Sequence, residues 1–215
     1  TYFRNIMENK PSLTLELDSH SADAGINTRI EAALDIIKSY RELDKKGMIN
    51  EVKKEFVPLR VKNAWTIIDS AGEEIPLTDK RVKVLIPNMG NYAAEAFSAM
   101  FRSVGVNSEP LPVSTFKTLT SGRGITSCKE CLPLILNAGA MLDYYHERKP
   151  ENEKTLFFMA EGTGPCRFGQ YHVYLDEIIK KRELKDYGTY TLSDEDSYGG
   201  LGDDFFKRGW FALTT

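Results

Sequence analysis

Along the last two thirds of the chain, short β-branched or aromatic runs alternate with stretches whose apolar residues recur at helical spacing. Val82 to Pro87 (Val-Lys-Val-Leu-Ile-Pro) reads as a strand, punctuated by Pro87 and Gly90. Asn91 to Gly105 follows as a helix with Ala93, Phe97, Met100, Phe101 and Val104 on one face and Gly105 as its stop. Glu109 to Val113 is a short second strand. Ser114 to Lys129 is polar and reads as a connection. Leu132 to Tyr145 is an apolar helix whose first turn accommodates Pro133. Thr155 to Met159 has the composition of a buried strand, and Ala160 to Phe168 is a loop containing Gly162, Gly164 and Pro165. Gly169 to Lys181 presents Tyr171, Tyr174, Leu175, Ile178 and Ile179 on one helical face. Thr189 to Leu192 predicts a further strand, and Phe205 to Leu213 a helix.

Strands alternating with helices of this length predict an α/β fold: a flavodoxin-like or Rossmann-like, mainly parallel sheet with helices on both faces. No Gly-x-Gly-x-x-Gly follows Val82 to Ile86 and no Walker A pattern is present, so the dinucleotide and P-loop versions lack support. The first residues differ. Leu13 to Leu17 alternates like a strand. Ala22 to Asp44 predicts an amphipathic helix with Ile26, Ile30, Ala33, Leu34, Ile37 and Leu43 on one face, and Thr28 with Glu31 fits a capping box. Trp65 to Leu77 reads as a hairpin or an extended linker. The expected organisation is an N-terminal α/β segment over residues 1–60, of an adjacent subdomain or of the same sheet, and a flavodoxin-like domain over 80–215.

Composition narrows the class. The chain has 215 residues, 41% of them hydrophobic and 27% charged, which excludes disorder, collagen and coiled coil as whole-chain descriptions. A net charge of −3 gives no reason to invoke nucleic acid or an anionic membrane, and no apolar run is long enough to span a bilayer. The chain opens on Thr1 without a signal-like segment, so a processed or excised piece is expected. With 3 cysteines, a disulfide scaffold is not, and a reducing, cytoplasmic setting is expected.

The cysteines are the candidate chemistry. Cys128-Lys129-Glu130-Cys131 is a C-x-x-C at the predicted start of a helix, where free N–H groups and the dipole favour thiolate. Thiolates there suit a redox dithiol, or equally a soft metal or iron–sulfur cluster. Cys166 lies in a loop after another predicted parallel strand, and such loops converge at the carboxyl edge of an open α/β sheet. Simple buried cysteines are the plain alternative. Gly122 and Gly124 precede the first cysteine segment, and Gly162 and Gly164 the second; they read either as close-approach loop positions or as ordinary turns. Arg123 and Arg167 are candidates to balance an anionic group. His20, His146 and His172 form no recognised hydrolase or zinc pattern.

Four segments together carry a resemblance. They are Asp18-Ser19-His20-Ser21-Ala22-Asp23-Ala24-Gly25 with Thr28-Arg29; Ile86-Pro87-Asn88-Met89-Gly90; Thr126-Ser127-Cys128-Lys129-Glu130-Cys131-Leu132-Pro133; and Gly164-Pro165-Cys166-Arg167-Phe168-Gly169-Gln170-Tyr171. The chain resembles the C-terminal portion of the large activase-related proteins of the 2-hydroxyacyl-CoA dehydratase and benzoyl-CoA reductase systems, over roughly Leu13 to Trp210. The resemblance implies an iron–sulfur cluster with Cys131 and Cys166 as principal ligands. Cys128 stands where the family usually has glycine. It also implies an ATPase module, in the same or a partner chain, and an acyl-CoA dehydratase or reductase as electron acceptor. No Asp-x-Gly-Ser-Thr phosphate loop is present, so ATP hydrolysis is not expected of this piece alone. Two other readings stand beside it: a dithiol redox protein using Cys128 and Cys131, and a non-catalytic α/β interaction scaffold.

Overall fold

The computed structural model describes residues 10–13, 23–47, 56–127, 129–193, 195 and 200–214. The chain divides into two compact units, Thr1–Glu55 and Phe56–Thr215. Within the first, α1 spans Asp23–Lys45. Thr28 and Glu31 therefore lie inside the helix and do not cap its start. Ile26, Ala33, Ile37 and Tyr40 are half-buried along it, and Ile30, Leu34, Ile36 and Leu43 are exposed. The expected strand at Leu13 to Leu17 falls, from Thr14 onward, outside the described residues.

The second unit opens with an antiparallel meander: β1 (Arg60–Asn63), β2 (Thr66–Ile68) and β3 (Glu74–Pro76). β2 and β3 fall within Trp65 to Leu77, the stretch that reads as a hairpin or linker, while β1 precedes it. Four parallel strands follow: β4 (Val82–Ile86), β5 (Ser108–Pro110), β6 (Lys154–Glu161) and β7 (Tyr187–Ser193). Their order is β5-β4-β6-β7. Counting β4 as the first strand, this is the 2-1-3-4 order of a flavodoxin-like sheet.

Alternate residues of β6 bury against opposite layers, as the strand's period of two requires. Leu156 and Phe158 face a core with α2 (Asn91–Ser103) and α6 (Asp203–Thr214). Phe101 is the hub there, edge-on to Phe158, Tyr190 and Phe205 with ring centroids 5.5, 5.9 and 5.2 Å away. Phe157 and Met159 face the other core, with α4 (Leu132–Glu147) and α5 (Tyr171–Lys181). Helices thus cover both faces. Among the described residues, no helix is long and apolar enough to cross a membrane.

The meander is fastened to the sheet by polar groups. Lys154 Nζ lies 2.7 Å from Asp69 Oδ2 and 2.9 Å from Asp186 Oδ2 in a nearly dry pocket. Burial pushes the Asp69 carboxyl up. Bonds from Lys154 and from the Glu73 and Ala71 N–H groups outweigh it and hold the group below the usual carboxylate value.

The polar stretch at 114–129 holds a helix, α3 (Phe116–Arg123), started by Thr115, whose side chain accepts from the Thr118 N–H. Apolar periodicity misses α3 because its buried residues are Thr118 and Gly122. Close approach to α4 takes the place of side-chain bulk. A Cβ on Gly122 would sit 2.0 Å from the Ile135 carbonyl oxygen, and one on Gly139 would sit 2.0 Å from that of Thr118. Gly139→Ala improves helix propensity, but the backbones must move apart. We expect a net loss of about 1–3 kcal/mol, read as a lower urea midpoint. An unchanged or raised midpoint contradicts the close approach.

Candidate functional site

The two described cysteines each stand immediately before a helix. Cys131 is the residue preceding α4, with φ −67° and ψ 148°. Cys166, with φ −79° and ψ 129°, precedes a 3₁₀ turn, Arg167–Gln170, which runs into α5. Because α4 leads into β6, its N-terminus returns to the carboxyl edge of the sheet. The loop leaving β6 starts from the same edge. Parallel topology thus brings together two segments far apart in sequence.

Tyr171, buried at the first position of α5, is the junction. Its hydroxyl oxygen lies 2.6 Å from Cys131 Sγ, and the two share a hydrogen bond. The Phe168 ring packs edge-on against it, centroids 5.3 Å apart. Burial pushes the Tyr171 phenol up, and the neighbouring Cys131 and Cys166 sulfurs push it further; Arg167 opposes them. Both cysteines and the arginine are therefore within electrostatic reach of one hydroxyl. Burial also acts to raise the Cys131 thiol. The Tyr171 hydroxyl, the Leu134 N–H and the Arg167 charge prevail and hold it below the ordinary thiol value.

One turn further along α5, Tyr174 repeats the device. Its hydroxyl donates to Glu130 Oε1 at 2.9 Å. The same carboxylate accepts from Ser127 Oγ at 2.8 Å, from the Ser127 N–H at 3.2 Å and from the Lys129 N–H at 3.1 Å. Although desolvation opposes ionisation, these donors hold Glu130 at about 2. Tyr174 is raised by burial and by Glu130 to about 12. Two tyrosines three residues apart thus pin the cysteine-bearing loop to α5.

The remaining sequence candidates divide. Cys128 lies outside the described residues. Arg167 is exposed beside the pair and contributes its charge. Gly162 belongs to the corner: a Cβ on Gly169 would sit 2.2 Å from the Gly162 carbonyl oxygen, so the 3₁₀ turn folds back on the strand end. Gly164 is exposed with open space around it. Gly122 serves the α3–α4 contact, and Gly124 closes α3. His146 is exposed. His172 is half-buried in α5, with Nδ1 unpartnered. A shallow depression of about 590 Å³ beside β5 includes Asn88, Glu95, Leu111 and Arg148, but no residue of the cysteine loops.

Sequence reasoning missed Glu130, Tyr171 and Tyr174 as site residues. Both tyrosines read as members of an apolar face, and Glu130 only as a residue between Cys128 and Cys131. Among the described residues, no group of three or more His, Cys, Asp and Glu side chains is placed to hold a metal ion. What the structure assembles is two cysteines, each preceding a helix or 3₁₀ turn, with Arg167 adding its charge.

If the contacts at Cys131 set its acidity, the rate of its alkylation by iodoacetamide rises with pH around a midpoint below that of a free thiol. Peptide mass spectrometry across a pH series reads this directly. A midpoint at or above the ordinary value of ~8.5 contradicts the assignment.

Compared with models of protein families, with curated proteins and with solved structures, the chain matches none.

Proposed function

We propose that the corner formed by Cys131 and Cys166 holds an iron–sulfur cluster, and that the chain is an electron-transfer module of a CoA-substrate-specific activase system. The supporting observation is the convergence of both cysteines on Tyr171 at the carboxyl edge of the sheet. The chemistry of the donors fits the group. Cluster ligation requires thiolates, and the surroundings of Cys131 favour that form. Cys131 and Cys166 would ligate, with Cys128 as a third candidate on the same loop. Arg167 offsets negative charge, and Gly162 lets the backbone close around the site. A cluster bound there supplies one-electron transfer at low potential.

The motif resemblance extends this reading to partners. An ATPase module, in the same or another chain, would drive the electron, and an acyl-CoA dehydratase or reductase would accept it. A reducing, cytoplasmic setting suits exposed thiols such as Cys166. The same raised acidity of the Cys131 thiol also supports a dithiol redox protein through Cys128 and Cys131, which needs no iron. An interaction scaffold with inert cysteines draws less support, because Cys166 is exposed and Cys131 only half-buried.

Anaerobic reconstitution with ferrous iron and sulfide separates these readings. Wild type is expected to retain iron and sulfide through gel filtration, and Cys131→Ser and Cys166→Ser to lose most of both. Equal, negligible iron in all three proteins overturns the cluster. A reversible Cys128–Cys131 disulfide in that iron-free protein favours the dithiol.

A further inference from the structure

We propose that Tyr171 is a positioning residue that fixes the Cys131 sulfur relative to Cys166 and tunes it by hydrogen bonding; this rests on the cluster reading above. Tyr171 occupies the first turn of the helix that Cys166 introduces. Its hydroxyl reaches across to Cys131, 40 residues earlier in the chain. Tyr171 thereby belongs to one cysteine's segment and bonds the other's sulfur. Its ring is buried against Phe168, and Gly169 beneath it is locked against Gly162, so the hydroxyl has little freedom to leave. The Glu130–Tyr174 bond pins the preceding residue of the Cys131 loop to the same helix. When Cys131 is a thiolate it has no proton to give, so the tyrosine donates. A donor to a ligand sulfur offsets charge on the reduced state and raises the reduction potential.

Tyr171→Phe removes one oxygen and keeps the ring, so the fold is retained; thermal unfolding checks this. The first measurement needs no iron. In a Cys128→Ser background the remaining thiols are Cys131 and Cys166. Phenylarsine oxide bridges two neighbouring thiols through two arsenic–sulfur bonds with release of water. The background protein is expected to form this adduct across Cys131 and Cys166. Tyr171→Phe is expected to bind it about tenfold more weakly, as loss of an outer-shell partner does at metal sites. The second measurement is a redox titration of reconstituted wild type and Tyr171→Phe, expected to show equal iron content and a more negative potential in the variant. Absence of a two-thiol adduct, equal arsenical affinity with and without the hydroxyl, or equal potentials at equal iron content overturns the proposal. A normal adduct weakened by Tyr171→Phe, in a protein that takes up no iron, upholds the positioning role and rejects the cluster instead.

Discussion

The parallel pairing of β6 between β4 and β7 is the constraint on which the second unit depends. β6 is in register with β7 from Thr155–Tyr187 to Glu161–Ser193, and with β4 from Val82–Lys154 to Leu85–Phe157. Its residues alternate between two cores, so slipping by one position would exchange Phe157 and Met159 for Leu156 and Phe158 and unmake both. The same pairing fixes where the chain must go. A parallel crossover into β6 obliges α4 to start at the carboxyl edge. The exit from β6 leaves at that edge too. The segments carrying Cys131 and Cys166 come to the same edge of the sheet for this reason.

Topology delivers the loops only approximately; the polar contacts of α5 set them. Tyr171 and Tyr174 each combine an apolar body, packed in the core or against it, with a hydroxyl that crosses to the cysteine loop. A phenylalanine at either position would satisfy the packing and leave the loop untied. The glycines act by a different means. Gly122 and Gly139 let two helix backbones touch, which holds α4 where its N-terminus can present Cys131.

Much of this fold is legible in the sequence because period explains it. Val82 to Ile86, Thr155 to Met159 and the helical faces around Phe101 and Leu175 bury large apolar side chains at regular spacing. Elements that fold on other terms are not legible. α3 buries a threonine and a glycine. The three meander strands are too short to display a period. Thr28 and Glu31 have the spacing of a cap but lie inside α1, since spacing alone does not say where a helix starts. At the site, the cysteines are visible as residue types, and the arrival of their segments at one sheet edge follows from parallel topology. The Tyr171–Cys131 and Tyr174–Glu130 bonds join residues 40 and 44 positions apart. Both depend on helix rotation, which no short-range pattern encodes.

The central claim is that the sulfurs of Cys131 and Cys166 bind iron directly. X-ray absorption at the iron edge, on protein reconstituted anaerobically and freed of loose iron, tests it most directly. The account predicts a sulfur-dominated first shell with iron–iron scattering beyond it, both lost in the Cys131→Ser/Cys166→Ser double variant. A first shell of oxygen and nitrogen, or a sulfur shell that survives the double substitution, would contradict it.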